Sequence, residues 1–206
     1  MLFKSAMNSK KTVCLFLVFF CFTTFVSAQK GQLGITFSAL SDNGVTRFGD
    51  EIIDDSSTDA GRSFTYGISY LKPLNKWLDI ETGLEYLSCP IETKSIVSTP
   101  NGVTTLTRSA TLSMLSLPVA VRANFLKYFF VNTGLLLDID VSSNSIINSQ
   151  SGLGTLLGLG MKYDFKNGIS LFVNPYTKVH LFPLSFERNQ QHFMESAVRF
   201  GIAYKL

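Results

Sequence analysis

Charge is scarce in this sequence. Only 16% of the 206 residues are Asp, Glu, Lys or Arg, while 46% are hydrophobic; a soluble domain carries about 25% charge. So few ionic side chains argue against an ordinary solvated surface. Cysteine is almost missing as well: of three, Cys14 and Cys21 fall in the first 28 residues. Cys89 is left alone, which excludes a disulfide scaffold. His180 and His192 are the two histidines. They stand in separate contexts and form no metal motif, so no cofactor is expected. Helical periodicity is also lacking, since no stretch repeats apolar residues at i, i+3, i+4 and i+7 over three turns.

What is present begins with a leader. Lys4, Lys10 and Lys11 form a basic segment, Val13 to Val26 is apolar, and Val26-Ser27-Ala28 offers the small-residue pattern of a signal-peptidase site. Residues 1–28 are therefore predicted to be a cleaved signal peptide, with Met1 or Met7 as the start. The apolar run is shorter than the roughly 20 residues of a transmembrane helix. Phe19-Phe20 before Cys21 argues against a lipoprotein site. Three of the eighteen basic residues and none of the fifteen acids lie in this leader, so the mature chain, 29–206, carries fifteen of each. No basic patch for nucleic acid survives.

In the mature chain apolar residues alternate with period two, the spacing of one strand face. Residues 77–87 set Leu78, Ile80, Leu84 and Tyr86 against Asp79, Glu81, Gly83 and Glu85. Residues 194–206 set Val198, Phe200, Ile202 and Tyr204 against Arg199, Gly201 and Lys205. Residues 31–39, 63–71, 112–125, 128–140, 152–164 and 168–181 alternate likewise, which makes eight strands. Connections at 72–76, 124–127 and 164–168 are short. Those at 40–62, 88–111, 141–151 and 182–193 are longer, and Pro100-Asn101-Gly102 in the second of them is a hairpin signal. Alternating short and long connections are the habit of outer-membrane barrels, tight on the periplasmic side and extended outside. Tyr70, Trp77, Phe129, Tyr163 and Tyr204, with Phe125, Tyr128 and Phe165, sit beside the short turns or the C-terminus. They are expected to form a periplasmic aromatic girdle at the membrane interface.

Eight such strands also suit a soluble lipocalin-type barrel, with the apolar face inside. The less hydrophobic face decides against it. That face is rich in Gly, Ser and Ala with few charges, which suits a narrow interior and not a wet exterior. The fold class is therefore all-β: an eight-stranded antiparallel up-and-down transmembrane β-barrel. Its inward charges must pair, and Glu81, Glu85, Arg122, Lys162 and Arg199 are expected to form an ion-pair network that plugs the lumen. Lys178, Asp140 and Lys205 are expected at the rims in water, and Cys89 as a lone loop or rim thiol. Gly154, Gly158 and Gly160 are expected to make room for Phe172 and Tyr176. Pro118 removes a ladder donor and predicts an irregularity nearby.

No catalytic constellation stands out. His180 has inward parity near the outer rim, and Ser185 and Glu187 are close only in sequence; a triad needs hydrogen-bond reach. The first long loop (Asp42, Asp50, Glu51, Asp54, Asp55 and Asp59, with Arg47 and Arg62) lacks an ordered calcium-loop spacing. It reads as a solvated loop beside divalent-bridged lipopolysaccharide. Expected partners are outer-membrane lipid and lipopolysaccharide, with the long loops available to a protein.

Residues 115–137 contain Leu117-Pro118, Asn124-Phe125 and Val131-Asn132-Thr133-Gly134. With Gly-Leu-Glu-Tyr at 83–86 and the terminal Phe-Gly-Ile-Ala-Tyr-Lys-Leu, this segment resembles the PorT-like outer-membrane β-barrel family. The chain departs from that pattern in ending on Leu206 where an aromatic is commoner. The resemblance implies an OmpA- or OmpX-like barrel without a catalytic centre. It also suggests a link to protein secretion, which is a fold-level analogy. The expected role is structural or interactive, with the long loops outside the cell. The alternatives are an accessory of a secretion machine, a lipid-modifying barrel enzyme and a small-solute channel.

Overall fold

The computed structural model describes residues 31–47, 56–99, 102–143, 146–180 and 191–206. The expected signal peptide, residues 1–28, lies outside them, as do Asp50, Glu51, Asp54, Asp55, Ser185 and Glu187. The described strands are β1 (Gln32–Arg47), β2 (Ser56–Ala60), β3 (Phe64–Pro73), β4 (Leu78–Thr99), β5 (Gly102–Phe125), β6 (Phe129–Asp140), β7 (Gly152–Asp164), β8 (Ile169–Val179) and β9 (Gln191–Lys205). Every pairing is antiparallel. The order β4-β3-β1-β9-β8-β7-β6-β5 closes because β5 also pairs with β4. Eight strands thus form a closed ring, so that along the shared part of the wall each strand has a neighbour on both sides and its backbone groups are paired within the sheet. The short β2 continues the wall above β3: Ala60 pairs with Ile91 and Ser56 with Ser95, where β3 has stopped at the Phe64–Ser88 pair.

The orientation of the faces follows the alternation. Leu84, Leu135 and Phe200 are 41%, 55% and 40% exposed, while Glu81 and Arg199 are each 1% exposed. A water-soluble barrel would show the reverse.

Strands β1, β4, β5 and β9 run further at their upper ends than the alternation predicted, and the reason is a reversal of polarity. On β4 the inward residues change from Asp79, Glu81 and Glu85 to Leu87, Cys89 and Ile91. The outward ones change from Leu78, Ile80, Leu84 and Tyr86 to Ser88, Pro90, Glu92 and Lys94. On β5 the reversal falls between Leu115, which faces out, and the buried Met114 and Leu112; Tyr86 and Leu115 are cross-strand partners. Below this pair the wall is apolar outside, as lipid requires. Above it the wall is polar outside and encloses an apolar cluster of Leu87, Cys89, Ile91, Leu112, Met114, Ile147 and Phe193. The upper part is thus built like a soluble protein. On β1 a bulge makes the same exchange. The register to β9 slips between Ala39 and Asp42, and Leu40 takes φ 56°. The extra residue turns Val45 inward onto the cluster, although its parity matches the outward Leu33, Ile35 and Phe37.

Pro118 produces a milder irregularity than a bulge. The β4–β5 ladder lapses between Thr82–Val119 and Glu85–Ser116 without changing register, and the Thr82 hydroxyl donates to the Pro118 carbonyl at 2.9 Å. Cys89 is not a rim thiol. It is fully buried in the upper cluster, where Sγ donates to the Gly61 carbonyl at 3.4 Å. Folded, leader-free protein is therefore expected to resist a maleimide reagent that labels the unfolded chain quickly. Rapid labelling of the folded barrel would show that the upper cluster opens.

Candidate functional site

The interior below the apolar cluster is a continuous chain of buried ionic groups contributed by β4, β5, β6, β8, β9 and the residue after β8. Their strands put them there because each occupies the inward parity of a wall whose outer parity is apolar. Arg122 Nη2 lies 2.9 Å and Nε 3.1 Å from Glu81 Oε2. Arg199 bridges two acids, with Nη2 2.7 Å from Glu81 Oε1 and Nη1 3.2 Å from Glu85 Oε1. Glu85 also pairs with Lys178, whose Nζ is 3.6 Å from Glu195 Oε2. Glu195 Oε1 accepts from the Tyr176 hydroxyl at 2.7 Å and from Thr65 at 2.8 Å. His180 Nε2 sits 3.7 Å from Glu195 Oε2, beyond hydrogen-bond length. Its Nδ1 is 2.8 Å from Asp138 Oδ2, and Asp138 Oδ1 accepts from Ser116 at 2.5 Å.

Aromatic rings and amides fill the space between these groups. The Arg122 guanidinium lies 4.1 Å from the centroid of Phe130 and 5.0 Å from that of Phe172. Asn132 donates to Glu81 at 3.3 Å. Asn174, with its amide oxygen turned toward Arg199, accepts from Nη2 at 2.8 Å. Gly160 leaves room for the Phe130 ring and Gly201 for Phe172. The expected beneficiaries of the β7 glycines were Phe172 and Tyr176; instead Gly158 lies against Asn132 and Asn174. Flat rings need the extra depth that a missing Cβ provides on the facing strand.

Of the five residues expected in the network, the structure joins Glu81, Glu85, Arg122 and Arg199. It places Lys162 elsewhere: its Nζ is at the short-turn end, 3.7 Å from Asp164 Oδ2. Near the end of a strand a lysine reaches water along its own stem, so it has no need of an interior partner. Lys178 is corrected in the opposite sense, from a watery rim to full burial between Glu85 and Glu195. Asp140, half-buried, accepts from the backbone of Ser142 and Gln150, and Lys205 is exposed. Asp138, His180 and Glu195 were not expected in the network. Their inward parity was legible, but which charge each would meet depends on strands far apart in sequence.

Four carboxylates (Glu81, Glu85, Asp138, Glu195) thus face three permanent cations (Arg122, Lys178, Arg199), with His180 between the last two acids. The serine–acid–histidine contact is not a hydrolytic triad. Ser116 bonds the acid rather than the imidazole, and all three are buried. Among the described residues no group of three or more His, Cys, Asp and Glu is arranged to hold a metal ion.

Of the expected girdle residues, Tyr70, Phe129, Tyr163 and Tyr204 lie on the outward face at the short-turn end, Tyr163 and Tyr204 well exposed, while Trp77 is exposed in the turn before β4 and belongs to no strand face. Tyr128 stacks on Tyr163 with centroids 6.2 Å apart, and Tyr163 meets Phe165 edge-on at 4.8 Å.

Residues 12–205 match the family model described as outer membrane protein beta-barrel domain. No curated protein matches the sequence. Among solved structures, the outer membrane protein OprG from Pseudomonas aeruginosa is similar at 11% identity, covering 87% of this chain and 96% of its own, with a TM-score of 0.47. AlkL, determined in lipid bilayers, is 12% identical over 88% of this chain and 92% of its own, TM-score 0.45. Ail from Yersinia pestis is 11% identical over 85% and 99%, TM-score 0.38.

Proposed function

The chain belongs to the outer membrane protein beta-barrel domain family, and from that premise we propose that it is a non-conducting, non-enzymatic outer-membrane protein that displays a rigid β-structure outside the cell. Residues 1–28 direct export and are then cleaved off, and the surrounding partners are outer-membrane lipid and lipopolysaccharide. The observation that carries this reading is the polarity reversal at Tyr86 and Leu115. It supports a membrane belt below and a water-exposed extension above, sealed from each other by the buried ion chain and the apolar cluster. Side chains fill an eight-stranded interior, so no continuous aqueous path is needed or provided. Protein reconstituted in planar bilayers is expected to give no stepwise conductance above the bare-membrane level. Reproducible single-channel steps would refute the sealed interior.

A second reading, an accessory of a secretion machine of the PorT-like kind, is favoured by one feature of the extension. β5 pairs with β6 only from Met114 onward. From Gly102 to Leu112 its second edge has no strand partner among the described residues, and Thr104 to Ser109 are exposed. An open edge accepts an extended segment of another protein through main-chain hydrogen bonds. In-cell crosslinking from Thr107 separates the two readings: a stoichiometric partner supports the accessory, and recovery of the barrel alone supports the display role.

A further inference from the structure

The short-turn end of the barrel is strongly one-sided in charge. Among the described residues it carries Lys72, Lys76, Lys127, Lys162, Lys166 and Lys205, against a single exposed acid, Asp164. The opposite end mixes Asp42, Asp59, Glu92 and Asp140 with Arg62, Lys94 and Arg108. Two of the lysines, Lys127 and Lys166, flank a groove of about 660 Å³ between the β5–β6 and β7–β8 turns, lined also by Tyr128, Tyr163 and Phe165. Asp164 lines the same groove but is already engaged, by Lys162 at 3.7 Å and by the Ser170 hydroxyl. Lys127 lies with Nζ 5.1 Å from the Tyr128 centroid and Lys166 is exposed, so both remain available to an anion.

This groove joins an apolar one. Tyr128 and Tyr163 also line a depression of about 800 Å³ on the outward face of β8, β9 and β1, whose walls include Ile35, Phe37, Val173 and Ile202. A basic, tyrosine-framed groove at the short-turn end thus shares Tyr128 and Tyr163 with an apolar depression on the lipid-facing wall. The turn that presents Lys127 is itself held in an unfavourable backbone. Leu126 and Lys127 have φ 47° and 64°, a region where Asn-Gly is preferred, and Leu126 is left 77% exposed beside them. A strained pair of non-glycine residues at a surface pocket points to a use for their side chains.

We propose that this is a binding site for one anionic glycerophospholipid of the periplasmic leaflet. The phosphate is held by Lys127 and Lys166, the glycerol region lies against Tyr128 and Tyr163, and an acyl chain lies along the β8–β9–β1 groove. The site rests on the membrane-spanning reading above, because only a barrel embedded in a leaflet brings lipid to that groove. Lysines near an anionic surface contribute additively, and tyrosines frame the interfacial region.

The test is native mass spectrometry of detergent-released protein offered phosphatidylglycerol or phosphatidylcholine with identical acyl chains. One phosphatidylglycerol should be retained in preference to phosphatidylcholine. Retention should weaken about tenfold in the double variant Lys127→Gln/Lys166→Gln and remain unchanged in Lys72→Gln/Lys76→Gln. Equal retention of the two lipids would overturn the proposal. Equal weakening in both variants would overturn it too, by showing a diffuse lysine ring in place of a site. The same samples run boiled and unboiled on a gel: absence of a heat-dependent shift in the unsubstituted protein would overturn the barrel reading itself, whereas a normal shift with unselective lipid retention removes only the site.

Discussion

Replacing Glu81 with alanine is expected to destabilise the barrel by about 3–5 kcal/mol, the cost of removing one partner from a buried ion pair. Glu81 is the acid shared by Arg122 and Arg199, and all three are at most 3% exposed by side chain. Without it Arg122 loses its buried carboxylate partner and Arg199 keeps only Glu85, in a space walled by Phe130 and Phe172. Guanidinium cannot escape by losing its proton, so Arg122 in particular is left as a buried, unpaired charge. Glu81→Gln keeps an oxygen acceptor and should fall between the parent and the alanine variant. The measurement is the temperature at which the compact, fast-migrating form is lost on a gel. A fall of roughly 10 °C corresponds to this energy for a chain of this size. An unchanged midpoint would mean that water reaches Arg122 and Arg199 and that the lumen is not sealed.

The second large effect concerns the outer face. Leu135→Arg places a charge on β6 midway along the apolar belt, between the outward Val131 and Ile139, at a position 55% exposed to the surroundings. Near the bilayer midplane such a charge costs about 2–4 kcal/mol on a lipid-facing strand. Thr107→Arg puts the same group on the same outward face, but above the Tyr86–Leu115 boundary, where neighbours such as Ser109 and Thr111 are polar. There the cost should stay within about 0.5 kcal/mol, as for ordinary surface substitutions. Urea unfolding of both variants from lipid vesicles decides it. If the two lose stability equally, the reversal of polarity does not mark the edge of the membrane.

Much of the lower barrel was legible beforehand because a strand's parity is a local property. Given that Leu78, Ile80 and Leu84 share a face, Glu81 and Glu85 must share the other, whatever the remainder of the chain does. The upper barrel was less legible for the same reason. The alternation of 77–87 continues through Cys89 and Ile91, but the environment on each side has changed, and a pattern that records only which residues share a face does not record what that face touches. β2 and the first half of β5 are rich in Ser and Thr, polar on both faces, and so resemble loops until their ladders to β4 are seen. Lys162 and Lys178 share inward parity, yet one reaches the short-turn end and the other is buried among acids. Depth along the barrel separates them, and depth depends on how the strands are staggered.

Composition and alternation alone determined that the regular elements of the mature chain are strands, that apolar rows face lipid, and that a few charges must meet inside, since these follow from side-chain polarity and the two-residue repeat. Only the tertiary structure decided which charges meet, where the wall leaves the membrane, and that lysines and tyrosines of separate turns share one groove. Ring closure and stagger bring together groups as distant in sequence as Glu81 and Arg199, and no local spacing encodes that distance.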